Sequence, residues 1–253
     1  MFRWFFCILM GMIFGAHSTE HPPKFDGLFG RTDISSLTHL AHFFLPYNPV
    51  VVEIGAYEGV NTLNLAKSFQ DGIVIAFEPN PRAFERLSSA VKQSNLDNIR
   101  IFNLAINNSS GKATLYLDHG DSCNDPQFEK FSSLLKKVPS GSQKCQCPFI
   151  EVSCVTLDDW CENNQISRID FIQIDAEGNE LQILKRSRNI LKTVKVICTK
   201  TYFSLARVEA TQFLALNKFL ESMGFEMLAH WYLEGLEGEA TFIRKEFYNA
   251  LYR

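Results

Sequence analysis

The chain lacks an excess of basic charge: its 25 lysines and arginines are outnumbered by 28 aspartates and glutamates, for a net charge of −3. That removes the electrostatic case for binding nucleic acid, which shows as a basic patch or a high pI. No C-x-x-C pair occurs, and no histidine stands near a cysteine pair at finger spacing, so a zinc site has little to build on. The glycine fingerprint G-x-G-x-x-G of dinucleotide-binding folds is missing as well. No internal repeat is visible. What remains is a chain of 253 residues, 46% apolar and 21% charged, ordinary for a globular protein and of a length that fits one α/β domain.

The N-terminus differs from the rest. Met1-Phe2-Arg3-Trp4 is a short positive start, Phe5 to Phe14 is apolar, and Ala16-His17-Ser18 places small residues where a signal peptidase reads. This layout predicts a signal peptide or membrane anchor over residues 1–18, with export or membrane association through that segment. The apolar stretch falls short of the about 20 residues a bilayer span takes. The alternative is a buried N-terminal segment or a misassigned start, with a cytoplasmic protein. Cys7 lacks the small residue that precedes a lipid-modified cysteine. Cleavage would leave Cys123, Cys145, Cys147, Cys154, Cys161 and Cys198. A bridge between Cys123 and the Cys145/Cys147 pair and a set of free thiols are both open readings.

Residues 19–48 read as an N-terminal extension, with Pro22-Pro23 and a helix over Ser35 to Phe44. From residue 49 strand, turn and helix alternate. Val50 to Ile54, Ile73 to Phe77 and Ile169 to Ile174 read as strands buried in a parallel sheet, and Ile99 to Leu104 and Lys195 to Thr199 as further strands. Helices are expected over Asn61 to Phe69, from Pro81, over Gly178 to Arg186 and over Glu209 to Met223. Asn80 before Pro81 is a cap followed by the residue suited to a first turn. Thr156, with Asp159 three positions on, resembles a capping box for another helix. Lys112 to Leu117 reads as an exposed strand, and Phe225 to Ala229 and Ala240 to Arg244 as the last two. Residues 118–149 are polar, contain cysteines and have no period, which predicts a loop or lid. The alternation predicts an α/β, Rossmann-like, mostly parallel sheet with helices on both faces.

Four features fall at the carboxyl ends of these strands, where an open α/β sheet binds ligands. Glu53-Ile54-Gly55-Ala56-Tyr57-Glu58-Gly59 is an acid followed by a turn with two glycines. The carboxylate would repel a pyrophosphate but suits the amino group of a methionine moiety; glycines at such a turn also occur for packing alone. Glu78 ends the second strand 23 positions after Gly55, close to the spacing at which an acid accepts hydrogen bonds from ribose hydroxyls. Asn103-Leu104-Ala105 ends the third, where an adenine ring would lie. Asp175-Ala176-Glu177-Gly178-Asn179-Glu180 follows the strand IDFIQ. Such a crowd of acids is costly unless solvated or used, although acids also suit a helix start.

The blocks VVEIGAYEGVNTLNLA, IVIAFEPNPRAFERL, VTLDDW and IDFIQIDAEGNELQIL, in that order between Val50 and Arg244, resemble the successive motifs of FkbM-type methyltransferases. The resemblance implies a seven-stranded methyltransferase fold and methyl transfer from S-adenosylmethionine, commonly to a hydroxyl oxygen. By position it implies that Glu53, Gly55, Ala56, Gly59 and Glu78 hold the cofactor, with Asn80 and Ala105 beside them, and that Asp175 and Glu177 face the reacting centre. Three positions depart from the pattern: Glu53 for an aspartate, Tyr57 for an asparagine, and Lys200 where an acid is common. A lysine there would reverse the local charge on the acceptor side.

Methyl transfer is a displacement that needs alignment and a base for the acceptor's proton. Asp175 is the first candidate base and Glu177 the second, ahead of His119 and His230. No complete oxygen cage for a divalent cation is visible. The acceptor would be a hydroxyl on a sugar, lipid or other small molecule. Because S-adenosylmethionine is made in the cytosol while the N-terminus looks exported, the other reading is an exported binding protein that keeps the fold without catalysis.

Overall fold

The computed structural model describes residues 44–118, 126–138, 148–203, 207, 210, 212–233 and 237–251. The signal-like segment, all but the end of the helix expected over Ser35 to Phe44, His119, and Cys7, Cys123, Cys145 and Cys147 lie outside them. Among the described residues no helix is long and apolar enough to cross a membrane.

Strands β1 (Val50–Ile54), β2 (Ile73–Phe77), β3 (Ile99–Phe102), β7 (Phe171–Ile174), β8 (Val196–Tyr202), β9 (Phe225–Leu233) and β10 (Glu237–Arg244) form one seven-stranded sheet. Their order is β3-β2-β1-β7-β8-β10-β9. The first five run parallel, and β10 is antiparallel to both neighbours. Each of the central runs is buried nearly throughout, Val51, Val52, Val74, Ile75, Ala76 and Ile172 completely, which is why these strands read as largely apolar segments rather than strictly alternating ones.

Helices α1 (Val60–Ser68), α2 (Pro81–Ser94), α3 (Leu157–Asn163), α4 (Glu180–Lys185), α5 (Phe213–Ser222) and α6 (Lys245–Leu251) complete the domain. Asn80 caps α2 as expected, its side-chain oxygen accepting from the Arg82 amide at 3.1 Å with Pro81 in the first turn. The capping box at α3 is only half formed. Thr156 accepts from the Asp159 amide, but the Asp159 carboxylate turns to the Ser110 hydroxyl at 2.6 Å, which itself accepts the Thr156 amide. A tertiary partner has replaced the local one. On α3, Trp160 meets the rings of Phe77 and Phe102 edge-on, with centroids 4.9 and 5.1 Å away, and locks that helix over the β2–β3 side of the core.

Beyond the segment expected to be a loop or lid, residues 118–149, a strand was not anticipated. Strand β6 (Phe149–Val155) pairs with β4 (Ala105–Ile106) and β5 (Gly111–Tyr116) in a second, three-stranded sheet. In β6, Val152 and Cys154 are buried while Glu151 and Ser153 are exposed, so its period is two. A 3-10 turn over Pro126–Phe131 follows β5, and Ser133 bridges to Tyr116. Cys154, Cys161 and Cys198 are buried free thiols.

Candidate active site

Strand register decides what meets at the site. Ile54 pairs with Phe77 and with Ile174, Phe77 with Phe102, and Ile174 with Thr199. The next residue of each strand therefore lies along one edge: Gly55, Glu78, Asn103, Asp175 and Lys200. These residues surround or support a cleft of about 1150 Å³, counting the part open to solvent, which is ample for a cofactor with an acceptor.

The turn after β1 is built by glycine. Gly55 has φ +89°, and a Cβ there would stand 2.0 Å from the Asp175 carbonyl oxygen. The amides of Gly55 and Ala56 both donate to the Phe77 carbonyl at 3.0 Å, which binds the turn to the end of β2. Gly55, Ala56 and Tyr57 line the cleft. Gly59 and Glu53 do not. Gly59 starts α1 with φ +89°, while Glu53 is 1% exposed and accepts the Thr62 hydroxyl behind the turn. Burial pushes its carboxyl up to about 8, with the Thr62 hydroxyl opposing.

Glu78 lines the cleft. Its two oxygens each accept a backbone amide, Tyr57 and Asn80, at 2.7 Å. These bonds fix the carboxylate and leave further lone pairs for a ligand. Burial raises it to about 7, against the pull of those amides and of Arg86. Asn80 is buried away from the cleft and acts through Glu78 and the helix cap. Asn103 holds the carbonyls of Glu78 and Pro79 at 2.8 and 3.1 Å. Leu104, Ala105, Ile106 and Leu115 form the apolar side of the cleft.

The opposite end is charged. Glu180 is wholly buried and accepts the amides of Ala176 and Gly178 at 3.1 Å. It thereby folds the Asp175-to-Gly178 turn tightly enough to put Glu177 at φ +50°, uncommon for a residue with a side chain. Glu177 is buried and fully engaged: Lys200 Nζ at 2.6 Å, the Tyr202 hydroxyl at 3.0 Å and Arg207 at 3.6 Å. Asp175 instead opens onto the cleft, its side chain 45% exposed, with Lys200 Nζ at 3.8 Å. Poor access to bulk water pushes its carboxyl up to about 6, opposed by Lys200 and reinforced by Glu177, Glu239 and Glu237. Lys200 does not reverse the local charge; buried at 7% exposure, it neutralises acids already there. Among the described residues no group of three or more histidines, cysteines or acids is arranged to hold a metal ion.

The 3-10 turn covers the cleft through Glu129, Lys130 and Phe131. Glu129 is buried and ion-paired to Arg82 at 3.0 Å and Arg86 at 3.6 Å; Arg207 donates to the Phe131 carbonyl. These cover residues were not legible in a polar segment without period, and Lys200 stood out in the sequence only as a departure. His230 stacks on Phe213 at 4.5 Å and shares a hydrogen bond with Thr201, away from the cleft.

Residues 53–227 match the model of the methyltransferase FkbM domain. The 2-O-methyltransferase NoeI of Sinorhizobium fredii is 26% identical over 196 residues, 76% of this chain and 78% of that protein. The hexuronic acid methyltransferase AglP of Haloferax volcanii is 24% identical over 142 residues, 56% of this chain and 52% of its own length. The METTL16 MTase domain shares the fold, with a TM-score of 0.50 at 14% identity over 84% of this chain and 66% of that one.

Proposed function

The chain belongs to the FkbM methyltransferase family, and from that premise we propose that it moves a methyl group from S-adenosylmethionine to a hydroxyl oxygen on a sugar, lipid or other small molecule. The domain doing so spans residues 49–253. The observation that carries the reading is the shared edge: Gly55, Glu78 and Asp175 follow paired residues of adjacent strands and line one cleft.

The donor set suits that cofactor. Glu78 is held by two amides with lone pairs to spare for ribose hydroxyls. The slot of Leu104, Ala105, Ile106 and Leu115 suits an adenine ring. The Gly55–Tyr57 turn would take the methionine end, with Glu53 and Gly59 shaping that turn from behind and Asn80 aiming Glu78. When bound, S-adenosylmethionine supplies a methyl carbon on a positively charged sulfur. The chain's own task is to orient the acceptor hydroxyl and receive its proton. Asp175 is the base, because its carboxylate opens onto the cleft; Glu177, spent on Lys200 and Tyr202, shapes the charge around it.

The reading as a non-catalytic binding protein gains nothing from these observations, since binding alone asks for no exposed carboxylate beside the cofactor cleft. The test is calorimetry of the full chain with S-adenosylmethionine, followed by transfer of a labelled methyl group to a panel of sugar and lipid acceptors. Saturable binding with label in an acid-stable, base-stable ether is the expected result. No heat of binding would remove the proposal.

A further inference from the structure

Strand β8 runs to Tyr202, three residues past the expected Thr199, and that extension carries Lys200 into the acid-lined end of the cleft. Its ammonium lies 2.6 Å from Glu177, 3.4 Å from Glu237 and 3.8 Å from Asp175. The rings of Phe131 and Tyr202 sit 5.6 and 5.5 Å from it on other sides. The acids hold the amine protonated, so Lys200 is not itself a base. Glu177 receives its hydrogen bond. Asp175 stands too far for one but well within range of its charge at 3.8 Å.

We propose that Lys200 is a positioning residue that keeps the Asp175 carboxylate ionised and turned to the acceptor, while its direct bond to Glu177 withdraws that second acid from the reaction. The inference rests on Asp175 being the base of the proposed methyl transfer. A purely structural lysine would need only Glu177 and Glu237. What marks Lys200 as more is the neighbourhood of Asp175: Glu177 on its own turn, Glu53 from β1, Glu180 from α4, and Glu237 and Glu239 from β10, with Lys200 as the cation facing it from β8. Glu177, Glu239 and Glu237 favour the protonated form of Asp175, and Lys200 opposes them.

The sign follows. Asp175, near 6 in the native chain, is ionised above that pH, and transfer rises through it. In Lys200→Met the carboxyl titrates about 1–3 units higher. A shift of two units costs roughly tenfold in rate at pH 7, where the fraction ionised falls from about nine tenths to about one tenth. Lys200→Arg keeps the cation and the native midpoint within about half a unit.

The experiment is carbon-13 NMR titration of the aspartate carboxyls in the full chain, with the Asp175 signal assigned by Asp175→Asn, beside the pH profile of methyl transfer. The double variant Lys200→Met/Glu177→Gln keeps the buried pair neutral should the single variant unfold. Its Asp175 midpoint still rises, because the attraction lost is larger than the repulsion lost. A midpoint that rises in both and stays put in Lys200→Arg supports the inference. A native midpoint in Lys200→Met or in the double variant overturns it and leaves the methyltransferase reading untouched. A midpoint that rises while the transfer profile does not move sustains the electrostatic role but overturns Asp175 as the base, and with it Lys200 as a positioning residue.

Discussion

At the scale of single residues the acids of this site divide by what the backbone gives them. Glu78 has two amides and faces the cleft, so Glu78→Ala removes a charged acceptor for ribose hydroxyls. The expected loss is about 1.5–3 kcal/mol of S-adenosylmethionine affinity, read by calorimetry; equal affinity in the variant would show that ribose is held elsewhere. Asp175→Asn should bind the cofactor normally and transfer methyl about 10²–10⁴-fold more slowly, measured by single-turnover kinetics. Glu53 is different. Wholly enclosed and raised to about 8, it binds a proton in the folded chain at pH values where the unfolded chain has lost it. Its contribution to stability is complete below about pH 4.5 and is lost as pH climbs through 8. Urea unfolding from pH 5 to 9 should therefore show falling stability, and Glu53→Gln should flatten the decline. Residue type and position were enough to pick out Gly55, Glu78 and Asp175. They could not separate a carboxylate that faces the cleft from Glu53, one residue before the strand end, which the pleat turns inward.

At the scale of elements the βα turns and the cover matter most. Gly55→Ala forces a left-handed φ on a residue with a side chain, about 1–2 kcal/mol, and drives a methyl group into the Asp175 carbonyl. Because that contact joins β1's turn to the end of β7, the variant should lose cofactor affinity along with stability, and both are measurable in one set of thermal melts with and without ligand. Trp160→Ala opens a hole between α3 and the Phe77–Phe102 pair; about 3–5 kcal/mol of stability is expected to go. Strands buried on both faces declared themselves in the sequence, as did the Asn80–Pro81 helix start. Strand β6 went unrecognised because it is half-exposed, and its alternation of Ile150, Val152 and Cys154 with Glu151 and Ser153 merges into the polar segment before it.

At the scale of the whole molecule the site couples the halves of the sheet. Glu78 lies on one side of β1, and Asp175 and Lys200 lie on the other, with the cover tied to both: Glu129 to Arg82 and Arg86, Arg207 to Glu177. A ligand filling the cleft touches every one of these parts and should stabilise the domain as a unit. At one hundred times its Kd the cofactor adds about 2.7 kcal/mol, or roughly 5–10 °C in Tm for a domain of this size. At the same concentration the shift in Glu78→Ala should fall to between about a tenth and a half of the native value, given the affinity loss expected above.

The sequence alone determined the layering of this protein and the strand edge along which the candidate site lies. A buried parallel strand is mostly apolar, and polar residues gather where it runs out into the turn, so Glu78 and Asp175 announce both facts locally. Only the tertiary structure decided which acids are available. Whether a carboxylate meets solvent, an amide or an ammonium depends on strand register and on residues far away in the chain: Lys200 twenty-five positions beyond Asp175, Tyr202 on the same extended strand, and Arg207 and Glu129 from segments with no period of their own. Charge in such a cleft is a property of the whole neighbourhood, and no window of sequence contains that neighbourhood.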